Sequence, residues 1–99
     1  MMDEKALFDG GILRRRILTY SEPGRETPRS VELVVGRHGG YFMARPISVE
    51  SGEDWYEFRD GTRYPVHYEH HESPERAEQI AVEDIRRRLA QSGAKLIDA

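Results

Sequence analysis

The densest potential chemistry in the chain lies in VHYEHHESPERAEQ, Val66–Gln79, where three histidines and three glutamates fall between His67 and Glu75. If the first part is extended, His67, Glu69 and His71 point to one side and His70 to the other. Imidazole and carboxylate at alternate positions of one strand can share a divalent metal, so a metal-dependent activity at His67/Glu69/His71 is one candidate function. The helical zinc-protease pattern is not met. It needs a second histidine four residues after the first, and four residues after His71 stands Glu75, preceded by Pro74. No distant residue offers itself as a fourth ligand. The expected arrangement is therefore a strand with a polar outer face that runs into a capped helix, and no cofactor is expected.

Other catalytic patterns are sparse. RHGGYF, Arg37–Phe42, has the glycine run of an oxyanion hole, but no Gly-x-Ser-x-Gly elbow accompanies it. Neither a Gly-x-Gly-x-x-Gly nor a phosphate-binding Gly-Lys-Ser/Thr occurs. The chain has 18 acidic residues, yet no spacing singles out a catalytic pair. It has no cysteine, which excludes thiolate catalysis, disulfides and Cys-ligated metals. Enzymatic activity is not the favoured expectation.

The elements that must position these residues read as follows. Ninety-nine residues suit a single domain with one modest core. Asp3–Phe8 allows one short helix or a frayed end, stopped by Gly10 and Gly11. Ile12–Tyr20 is compatible with strand or helix; its β-branched and aromatic content favours strand. Ser21–Ser30 is a loop. Val31–Val35 and Tyr41–Val49 are strands about the Gly-rich turn Gly36–Gly40, with Pro46 arguing for an edge or a bulge. Trp55–Arg59 and the TRYPVHYEHH segment flank Asp60-Gly61, a strong hairpin signal.

After His71 the period changes: Ala77, Ala81, Ile85 and Leu89 recur every four residues. Ser73 suits an N-cap, Pro74 the first helical position, and Gly93 a stop. Residues 94–99 are a tail or a short extra strand. The expected fold is α+β, an antiparallel meander of four to five strands followed by one long C-terminal helix packed on one face.

A single helix covers a single sheet face. Period-two counting assigns Val31, Leu33, Val35, Tyr41, Met43, Ile47, Val49, Tyr56, Phe58, Tyr64, Val66 and Tyr68 to the covered face. The opposite face then keeps Val34, Phe42, Trp55, Glu57 and Arg59, an apolar patch with a charged rim. Such patches mark protein partners or self-association, so a protein-binding or oligomerisation module is the leading expectation, with these five residues as its contact set.

Two basic runs, Arg14, Arg15, Arg16 and Arg86, Arg87, Arg88, raise nucleic-acid binding as the alternative. The order of sheet then helix is similar to small domains that insert a three-stranded sheet into the major groove, and to the double-stranded-RNA-binding domain. That likeness implies phosphate contacts from the arginines and base stacking on sheet aromatics. The lysine-rich helix start of the latter domain is replaced here by SPERAEQ. A net charge of −3 also disfavours a general polyanion binder. The N-terminus lacks the pattern of a signal peptide and no apolar run reaches membrane-spanning length, so a cytoplasmic protein without membrane contact is expected.

Overall fold

The computed structural model describes residues 8–98. The proposed short helix over Asp3–Phe8 lies outside the described residues except for Phe8. The described residues form seven strands and one helix: β1 Ile12–Ser21, β2 Arg29–His38, β3 Tyr41–Ser48, β4 Tyr56–Arg59, β5 Thr62–Pro65, β6 Tyr68–His70, α1 Pro74–Gln91 and β7 Lys95–Asp98. Five of the strands form an antiparallel sheet in the order β6-β3-β2-β1-β7, and α1 packs against it. The α+β architecture expected from the sequence is the one found.

Ile12–Tyr20 is strand, with Leu18 and Tyr20 buried at alternate positions between less buried neighbours. Of the tail or short strand expected over 94–99, Lys95–Asp98 form β7, which pairs with β1 at Thr19–Ser21. The segment around Asp60-Gly61 forms a hairpin as expected, with φ of 52° and 76° at the two turn residues. It is nevertheless a separate two-stranded ribbon rather than a continuation of the meander. Its strands are four residues long and mostly exposed, so they bury too little to compete for a place in the main sheet. Pro46 sits beyond the ladder to β6, which ends at Ala44; on that side its carbonyl accepts from the Trp55 N–H at 3.1 Å, and no N–H of residue 46 is needed.

The assignment of sheet faces needs correction at β3. The two-residue turn Gly39-Gly40 places His38 opposite Tyr41, and hence Val35 opposite Ala44 and Leu33 opposite Pro46. Residues directly opposite share a face. Phe42 and Ala44 therefore lie on the helix side, while Tyr41, Met43 and Ile47 lie on the other. Trp55 also belongs to the helix side, where its ring meets Tyr20 edge-on at 6.2 Å.

Between helix and sheet, Leu18, Val31, Leu33, Val35, Ala44, Ala77, Ala81, Ile85 and Leu89 form the main core. Alanines at 44, 77 and 81 let the helix approach the strands closely. Ser73 caps the helix, its Oγ accepting from the Arg76 backbone N–H at 3.3 Å and donating to Glu75 at 2.8 Å. A second, smaller core forms on the far face, where Phe8 covers Val34 and Met43. Gly36 is required beneath it: a Cβ there would stand 2.6 Å from the Phe8 ring and 2.6 Å from the Gly11 carbonyl oxygen.

Candidate interaction surface

His67, Glu69 and His71 emerge on the helix-distal side of β6, but they do not converge. His67 Nε2 lies 3.2 Å from Glu69 Oε1, whereas the His71 ring packs edge-on against Tyr41, with centroids 5.7 Å apart. His70 turns toward the helix junction, and its Nδ1 accepts from the backbone N–H of Glu72 and of Ser73. Among the described residues no three His, Asp or Glu side chains are placed to share a metal ion.

The arginine runs are largely engaged in cis. Arg14 spans Glu75 and Glu78 of the helix at 3.1 Å each, and Arg15 meets Glu32 at 2.7 Å. Arg87 and Arg88 both pair with Asp84. Arg16 and Arg86 are left without an ion pair among the described residues. Cations held this way keep little charge for phosphates.

Asp84, which no motif in the sequence singles out, is the hub of a polar network. Its carboxylate accepts from the Tyr68 hydroxyl at 2.8 Å, from Arg88 Nε at 2.8 Å and from Arg87. Arg88 extends to Glu57 at 3.3 Å, tying the helix to the β4–β5 ribbon. Burial opposes ionisation of Asp84, but the hydrogen bonds from Arg88, Tyr68 and Arg87 outweigh it and bring its pKa from 3.8 down to about 2. Burial, then the bond to Asp84, pushes the Tyr68 phenol up.

A depressed carboxylate pKa stabilises the fold above its unfolded value and loses that contribution as pH falls through the folded one. For Asp84 the window runs from about pH 4 to pH 2 and is worth roughly 2 kcal/mol. Urea unfolding of wild type and Asp84→Asn, compared at pH 5 and pH 2, should show the variant losing roughly 2 kcal/mol less on acidification. Parallel losses would mean that the network does not hold the carboxylate.

The proposed contact set Val34, Phe42, Trp55, Glu57 and Arg59 is not one surface. Val34 is fully buried under Phe8, on the helix-distal face. Phe42 and Trp55 are half-buried on the opposite side of the sheet. Glu57 and Arg59 belong to the ribbon, where Arg59 stacks over Tyr64 at 4.2 Å. Three things divide the set: the parity of β3 and of the chain after it turns Phe42 and Trp55 to the helix side, Phe8 covers Val34, and the separate ribbon takes Glu57 and Arg59 off the sheet.

The helix-distal face nevertheless keeps an apolar row, built from other residues. With Leu18, Tyr20 and Leu96 turned toward the helix, Leu13 and Ile17 of β1 and Ile97 of β7 face outward. They are 49, 53 and 60% exposed. Phe8 closes the other half of this face over β2 and β3, so the open half lies over β1 and β7. Polar pairs border it: Arg15 with Glu32, and Thr19 with Ser30 at 3.3 Å. A second exposed apolar feature is the ribbon, where Phe58 is 70% exposed beside Arg63 stacked at 4.0 Å over Tyr56. No described helix is long and apolar enough to cross a membrane. Comparison of the chain with protein-family models, with curated proteins and with solved structures returns no match.

Proposed function

We propose that this chain is a small protein-binding or oligomerisation module that uses the sheet face opposite its helix. The reading rests on the row of Leu13, Ile17 and Ile97 on two adjacent strands, each about half exposed or more and bordered by polar pairs. Isolated surface aliphatics are ordinary; several on one face of a small domain have the composition of an interface centre with a polar rim. The nucleic-acid alternative is less well supported, because four of the six arginines it needs are paired with carboxylates of the same chain.

The face is tested by placing a charge in it. Ile17→Lys should abolish capture of a protein partner, or dissociate a self-assembly, while leaving the far-ultraviolet circular dichroism unchanged. Ile80 is 37% exposed on the helix, and Ile80→Lys should leave either association intact. Association that survives Ile17→Lys but not Ile80→Lys would move the binding surface to the helix.

A further inference from the structure

The β4–β5 ribbon has two unlike faces. Its register sets Tyr56 opposite Pro65 and Phe58 opposite Arg63. Directly opposite residues share a face, so these four side chains line one side of the ribbon. Glu57, on the other side, meets Arg88 of the helix at 3.3 Å, which turns that side inward and the first side away from the helix.

The outward side joins bare hydrocarbon to a held cation. Phe58 is 70% exposed, more than any other large apolar side chain among the described residues. Arg63 lies over the Tyr56 ring at 4.0 Å and has no ion pair among the described residues. A guanidinium flat on a ring keeps its in-plane N–H donors for an outside acceptor, and the stacking orients it before that acceptor arrives.

We propose that this face docks a short acidic segment of a partner protein, in which an aspartate or glutamate lies beside an aliphatic side chain. The carboxylate takes a two-point contact from Arg63, and the aliphatic group covers Phe58. Charge favours this occupant, because the four side chains of the face carry one cation and no acid. Charge also disfavours a nucleic acid. Across Tyr56–Pro65 the two arginines are matched by Glu57 and Asp60, so a chain of phosphates would meet as many acids as bases. Size sets the length of the partner. Four side chains are a small part of the roughly 20–30 residues a side that a standard protein interface uses, so the face suits a short segment and not a docked domain or a second copy. Aromatic residues and arginine are also the types enriched at the centres of such contacts. This face is separate from the row of Leu13, Ile17 and Ile97 and does not depend on it.

Random linear peptides displayed on phage and selected against the whole chain are the probe. Selected peptides should carry Asp or Glu beside Leu, Ile or Val, and a fluorescein-labelled copy of one should bind the chain in an anisotropy titration. Phe58→Ala and Arg63→Ala should each weaken that binding at least about tenfold. Far-ultraviolet circular dichroism should stay unchanged, since both side chains are exposed. Arg63→Lys should recover little, because an ammonium offers a point charge instead of a flat fork. Ile17→Lys should leave the binding intact.

Selected peptides without an acid, or no selectable peptide at all, would overturn the acidic ligand. Binding that survives Phe58→Ala and Arg63→Ala but fails on Ile17→Lys would overturn the ribbon and leave the β1–β7 row as the binding face. A single-stranded oligothymidylate that binds through Arg63 more tightly than any selected peptide, with a steep loss of affinity in salt, would overturn the peptide in favour of a phosphate chain.

Discussion

Replacing Ile85 by alanine is expected to remove about 3–4 kcal/mol of folding stability, a large part of the roughly 5–15 kcal/mol that a domain of this size has in total. Ile85 is fully buried at the centre of the helix–sheet core, between Ala81 and Leu89 on its own helix and the strand residues Leu33, Val35 and Ala44. Deleting its branched side chain removes apolar burial and also leaves a void. The helix backbone cannot settle into that void, because it already rests on the sheet through the small residues Ala77 and Ala81. Leu89→Ala should cost a similar amount. Ser73→Ala should cost only ~1 kcal/mol, since it removes one cap at an otherwise docked helix. Chemical denaturation of the three variants checks the ranking. Equal and small effects from all three would mean that α1 contributes little to the fold.

Asp54→Ala should cost about 3 kcal/mol for a different reason. The Asp54 side chain is fully buried and the Arg45 side chain is 15% exposed. The carboxylate accepts from Arg45 through both oxygens, at 3.3 Å from Nε and 3.0 Å from Nη2. That two-point contact, with the bridge between Ile47 and Asp54, fastens the chain after β3 back onto the strand. Removing the carboxylate leaves a guanidinium with little access to water and no counter-charge, which is the costly half of breaking a buried ion pair. The double substitution Arg45→Met with Asp54→Leu removes both charges. It should return to within about 1 kcal/mol of wild type. A single variant as stable as wild type, or a double variant no better than the single one, would show that the pair is neither dry nor tight.

Local patterning in the sequence determined the elements and their class. Alternation of apolar residues marked the strands, the four-residue spacing from Ala77 to Leu89 marked the helix with its burial of Ile85 and Leu89, and Ser73-Pro74 marked its start. Asp60-Gly61 marked a hairpin because both residues accept the positive φ that the turn demands. These signals are short-range, and the physics behind them is satisfied within a few residues.

Sheet-face parity was also legible, though not in the hydrophobic count. Tyr41, Met43 and Ile47 outweigh Phe42 and Ala44 as apolar residues. The two-residue turn at Gly39-Gly40 overrides that weight, since it alone decides which residue of β3 stands opposite Val35. The heavier set stays sheltered on the far face because Phe8 covers it, a contact between distant parts of the chain that no local pattern announces.

What remained for the tertiary structure to decide were the long-range pairings. The ribbon β4–β5 stands apart from the sheet, β7 closes on β1 after the helix has crossed over, and Asp54 and Asp84 find partners on other elements. The outward row of Leu13, Ile17 and Ile97 stands exposed because, among the described residues, Phe8 covers the β2–β3 half of that face. Such outcomes depend on which distant segments bury the most surface together, a property of the whole chain rather than of any window along it.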